Sequence, residues 1–78
     1  MRQKTVKLIV TFHTTTGAMA METLCKERGV AGRLIPVPRA ITAGCGLSWC
    51  APLESRSEIE ALVVAENMDH DGFYEIPV

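Results

Sequence analysis

Seventy-eight residues hold one domain, 1–78, and a chain of this length buries only about 60% of its unfolded surface. An apolar fraction of 47% excludes a disordered chain, and 5% aromatic residues exclude a stacking platform for single-stranded nucleic acid. Eight basic and nine acidic groups leave a net charge of −1, so no nucleic-acid footprint is expected.

Charge is unevenly divided along the chain. Residues 1–39 sum to +5 and residues 40–78 to −6, a polarity able to steer an anion, a partner or a second copy. The apolar run Leu8 to Phe12 is only five residues long, short of the ~7–15 of a secretory leader and the ~20 of a membrane span. Three cysteines cannot close a disulfide framework, so a reducing, cytoplasmic setting without membrane association is expected.

In chain order, Val6 to Phe12 alternates as a strand, with Val6, Leu8, Val10 and Phe12 on one face. Thr14, Thr15 and Thr16 offer cap oxygens to a helix running Ala18 to Arg28, and Gly29 stops it. Met21, Leu24, Cys25 and Arg28 form one stripe of that helix. Arg33 to Val37 reads as a second strand, placed at a sheet edge because Pro36 and Pro38 lack donors. Arg39 to Gly46 is a loop and Leu47 to Ala51 a short third strand. Ser55-x-x-Glu58 has the form of a capping box before a helix marked by Ile59, Leu62, Val63 and Glu66. Phe73 to Val78 closes as a fourth strand.

This string is β-α-β-β-α-β, the α+β, ferredoxin-like split βαβ pattern. Right-handed crossovers give an antiparallel sheet of order 4-1-3-2 with both helices on one face. The loops at His13–Gly17, Pro38–Gly46 and Met68–Gly72 then gather at one end of the sheet. On the other face, Ile9, Ile35, Val37, Cys50 and Phe73 beside Lys7, Arg33 and Glu75 predict a surface that pairs in a homodimer.

Cys45 stands between Gly44 and Gly46, which leave its sulfur uncovered. A helix N-terminus and the charges of His13 or Arg39 favour its thiolate, the reactive form. Thr15, Thr16 and Gly17 at the helix start offer backbone N–H groups to an anion, with Arg39 as a cationic neighbour. Cys50 is a possible second thiol on the open face, up to ~16 Å from Cys45 along a regular strand. Cys25 reads as a small buried apolar residue. His13, Cys45, Cys50 and His70 lack metal-ligand spacing, so no metal and no resident cofactor are expected.

The runs Thr11-Phe12-His13-Thr14-Thr15, Gly32-Arg33-Leu34-Ile35-Pro36-Val37-Pro38-Arg39, Ala43-Gly44-Cys45-Gly46-Leu47 and Gly72-Phe73-Tyr74-Glu75-Ile76 resemble the small bacterial proteins described as Putative Se/S carrier protein-like. The resemblance spans nearly the whole chain. It implies a carrier rather than a turnover enzyme, holding selenium or sulfur as a transient perselenide or persulfide on Cys45. A cysteine desulfurase is then a candidate donor, and a selenium- or sulfur-accepting enzyme the recipient. Two other readings stand beside it: a dimeric, non-catalytic regulatory module binding an anion, and a thiol redox protein using Cys45 with Cys50. The redox reading requires an irregular third strand.

Overall fold

The computed structural model describes residues 5–41 and 46–78. Its elements are β1 (Val6–Thr11), α1 (Thr15–Arg28), β2 (Arg33–Pro36), β3 (Leu47–Pro52), a 3-10 turn at Leu53–Ser55, α2 (Arg56–Ala65) and β4 (Gly72–Pro77). The four strands form one antiparallel sheet of order β2-β3-β1-β4, which read from its other edge is the expected order. The most apolar strand, β1, lies inside the sheet, and Leu8, Ile9 and Val10 are fully buried. The proline-bearing β2 lies at an edge, where a missing donor costs no ladder hydrogen bond.

Both helices cover the same face. Leu8 and Val10 of β1, Trp49 and Ala51 of β3, Met21 and Cys25 of α1, and Ile59 and Leu62 of α2 belong to one core cluster. Thr14 caps α1, its hydroxyl oxygen accepting from the Gly17 N–H at 3.1 Å. Gly29 ends the helix at φ 69°, its N–H and that of Val30 closing on the last-turn carbonyls. The stripe expected on α1 is buried at Met21 and Cys25, whereas Arg28 is exposed and pairs with Glu66.

Two local expectations are corrected. Ser55 does not act as the expected capping box: its side chain makes no cap hydrogen bond. The 3-10 turn before it has already brought its backbone to φ −88°, ψ 0°, away from the extended conformation an N-cap hydroxyl needs. Glu66 lies just past α2, as its C-cap, rather than on the helix stripe.

A third correction concerns the face opposite the helices. Phe73 pairs with Val10 and Glu75 with Leu8, so both point toward the helices. Tyr74 and Ile76 occupy the opposite face instead, opposite Ile9 and Lys7. Period-two alternation fixes which residues of a strand share a side, but only the pairing fixes which side that is.

That opposite face is also less open than its sequence suggests. Ile9, Thr11 and Ser48 point to it, yet each is 0% exposed. Val37 N–H donates to the Gly46 carbonyl at 3.0 Å, extending the β2–β3 pairing past Pro36, and Ile41 N–H closes a turn on the Pro38 carbonyl at 2.9 Å. Pro38, Arg39 and Ala40 then line a cleft with Ile76, Pro77 and Val78 at the far end of β4. A segment that leaves one edge strand and reaches the other must lie across the sheet. Pro38–Ile41 does so, and the buried Ile41 is part of that cover.

Candidate functional site

The end of the sheet where β1 finishes and β4 begins carries the densest polar chemistry among the described residues. Asp71 N–H donates to the Thr11 carbonyl at 2.6 Å, and the Thr11 hydroxyl donates to Asp71 Oδ2 at 3.2 Å. The other carboxylate oxygen, Oδ1, stands 3.6 Å from His13 Nδ1. That ion pair forms when the imidazole is protonated, and with the His13 side chain 57% exposed it contributes at most ~1 kcal/mol. Its value is orientation: a carboxylate fixed by the β1 terminus holds the histidine ring beside the strand end.

The start of α1 closes on the same loop. A Cβ on Gly17 would lie 3.2 Å from the Asp69 carbonyl oxygen and 3.6 Å from the Phe12 ring, so a glycine fits this junction closely. His70 places Nδ1 3.2 Å from the Met68 carbonyl and packs edge-on against Phe73 at 5.3 Å. Those contacts hold the loop and account for His70 without a ligand.

Of the expected anion-binding set, Thr15 and Thr16 are exposed in the first turn of α1, which contains no acidic residue. Gly17 is buried, and its N–H is taken up by the Thr14 cap. Arg39 stands elsewhere. It lines the cleft with Ile76, Pro77 and Val78, and Pro77 pairs with Val6 at the opposite end of β1 from Thr11. The fold therefore separates Arg39 from the helix start, because Pro38–Ile41 runs across the sheet instead of stopping at its end.

Cys45 and Gly44 lie outside the described residues. Gly46, next in the chain, adopts φ +97°, and a Cβ built on it would meet no atom of the described residues within 4 Å. The backbone there is in the region that favours glycine.

Cys25 is fully buried in α1 and its thiol approaches Met21 Sδ at 3.5 Å. Burial, with a smaller contribution from Glu58, pushes its pKa up from 9.0 to about 11. Cys50 is half-buried on the face away from the helices, between Ile9 and Arg33. The third strand is regular from Leu47 to Pro52, so the irregularity required by a Cys45–Cys50 redox pair is not found there.

Sequence reasoning singled out His13 but missed Asp71 as its partner. The signal was present, since Asp69-His70-Asp71 falls in a loop that the topology returns to the end of β1. Among the described residues, no group of three or more His, Cys, Asp or Glu side chains is arranged to hold a metal ion. No helix among them is long and apolar enough to cross a membrane.

No curated protein and no solved structure matches the chain. A family model does match, over residues 7–75, from the first alternating positions of β1 to Glu75 in β4. With nearly the whole domain covered, including His13, the Gly44-Cys45-Gly46 run and the Asp71 loop, the chain belongs to the family described as Putative Se/S carrier protein-like.

Proposed function

We propose that this protein carries selenium or sulfur between enzymes as a perselenide or persulfide on Cys45. The observation that carries the reading is the family match over residues 7–75, which includes the sequence Gly44-Cys45-Gly46. The clearance around Gly46 from the other described residues supports it, because a carrier sulfur must enter two partner active sites in succession. The α1 N-terminus supports it too, as a source of positive potential at the sheet end where β3 begins. The alternation of helices and strands and the order β2-β3-β1-β4 likewise support a ferredoxin-like description of the scaffold.

The transfer conserves electrons at each step. The Cys45 thiolate attacks the terminal sulfur of a donor persulfide, the donor S–S bond breaks, and the donor thiolate leaves. The acceptor's nucleophile then takes the terminal atom and releases the Cys45 thiolate. A cysteine desulfurase acting on cysteine or selenocysteine is the donor class that fits, with a selenium- or sulfur-incorporating enzyme as acceptor. The free thiols Cys25 and Cys50 suit the reducing conditions of a cytoplasmic protein. A homodimer would have to use what Pro38–Ile41 leaves free of the face opposite the helices, and sedimentation equilibrium measures whether it does.

The test is intact mass after reduced protein is incubated with a cysteine desulfurase and its substrate. One added sulfur or selenium atom is expected, present in Cys25→Ser and Cys50→Ser but lost in Cys45→Ser. An adduct that survives Cys45→Ser, or none in the unaltered protein, overturns the reading.

A further inference from the structure

The face opposite the helices carries a concave patch apart from Pro38–Ile41. It is a cleft of about 340 Å³ walled by Lys7 of β1, Gly32 and Arg33 at the start of β2, and Cys50 and Pro52 of β3. Register puts Arg33 directly across from Cys50, where facing Cβ atoms lie ~4.5–5.5 Å apart. Lys7 pairs with Pro52 and is therefore the diagonal neighbour of Cys50, at ~7–8 Å. No carboxylate lines the cleft, and neither Lys7 nor Arg33 forms an ion pair among the described residues.

The cleft wall is built rather than incidental. Gly32 sits at φ +138°, and a Cβ there would fall 2.3 Å from Trp49 Nε1 and 2.8 Å from the Cys50 carbonyl oxygen. The indole packed on the helix side thus fixes the backbone that forms the cleft on the other side. A half-buried thiol with a guanidinium and an ammonium in one concavity is a complementary surface for an anionic, sulfur-reactive small molecule.

We propose that Cys50 is a modification site for acidic low-molecular-weight disulfides, with Arg33 and Lys7 holding the reagent's carboxylates. Cys50 gives up its proton to solvent and its sulfur attacks one sulfur of the disulfide. The old S–S bond breaks, a mixed disulfide forms, and the other half departs as a thiolate, with no net change in electrons. Cys25 takes no part, because its thiol is fully buried. The inference is independent of the carrier chemistry at Cys45.

The experiment uses the Cys45→Ser protein, which leaves Cys25 and Cys50 as its thiols. Folded protein is incubated at low salt with oxidised glutathione, which is anionic, or with cystamine, which is cationic. Adduct formation is followed by intact mass and peptide mapping, each rate being divided by that reagent's rate with a neutral cysteine peptide. One glutathionyl group on Cys50 is expected, with a normalised rate at least ~tenfold above that of cystamine, the low end of electrostatic enhancement. In Lys7→Gln/Arg33→Gln the ratio falls toward one. Should that variant fail to fold, the same ratio is read on the parent at 1 M salt, where screening over ~3 Å must collapse it. A ratio near one at low salt, a ratio indifferent to salt or to loss of the cations, an adduct on Cys25, or no adduct at all overturns the proposal.

Discussion

Gly32 and Trp49 show how a single position is constrained from two directions. Trp49 is 2% exposed, and its indole Nε1 finds no hydrogen-bond partner among the described residues, because it lies against the Gly32 backbone. Gly32→Ala would introduce both a left-handed-region penalty and a clash with an indole and a carbonyl. We expect a loss of roughly 3 kcal/mol, near the upper end of ordinary point substitutions, measured by urea denaturation. Gly46→Ala separates the two terms, since its φ is +97° but no atom of the described residues lies within 4 Å of the added Cβ. It should cost only the backbone penalty, about 1–2 kcal/mol in the same measurement. A Gly46→Ala loss equal to that of Gly32→Ala would mean that packing against Trp49 contributes nothing.

The two helices begin in different ways, and their stabilities should respond accordingly. The Thr14 hydroxyl accepts from Gly17 N–H, so Thr14→Ala is expected to cost about 1 kcal/mol. Ser55 occupies the sequence position of a cap but makes no cap hydrogen bond, its place being taken by the 3-10 turn from Leu53. Ser55→Ala should therefore cost at most about 0.5 kcal/mol, and thermal unfolding of the two variants side by side checks the order. Lys26 and Arg28 lie in the last turn of α1, where cations are favoured by the helix dipole. Arg28 also pairs with Glu66 just past α2, and Arg56 of α2 pairs with Glu75 of β4.

At the scale of the whole molecule, the charge division along the chain largely dissolves. Strands of the basic half, β1 and β2, alternate in the sheet with strands of the acidic half, β3 and β4. The Arg28–Glu66 contact likewise joins the two halves. Positive charge survives as a local feature, at Lys7 and Arg33 beside Cys50. Burial of Cys25 has a consequence for global stability. Its thiol titrates near 9.0 when unfolded and at about 11 when folded, so the folded state holds its proton more tightly. The stabilisation is complete below pH 9.0 and is lost as pH rises toward 11. Up to about 3 kcal/mol is involved, and Cys25→Ala should flatten the corresponding part of the stability–pH curve.

Pattern alone determined the elements and their pairing order. An alternating apolar β1, two amphipathic helices and a proline-bearing edge strand admit few topologies once right-handed crossovers are required. The Gly44-Cys45-Gly46 pattern names a cysteine candidate by local residue types, and that candidate lies outside the described residues. Facing and coverage were not legible. Which side of β4 carries Phe73 depends on its register against β1, a relation between residues more than sixty positions apart. The partnership of His13 with Asp71 depends on the same return of the chain. Arg39 and the open face were misjudged because a loop's path is set by what it can bury. Here Pro38, Arg39 and Ala40 lie beside Ile76, Pro77 and Val78, and Ile41 is buried, rather than standing in solvent at the strand ends. Local sequence determines what each segment can form, whereas burial shared between distant segments decides which surfaces remain for chemistry.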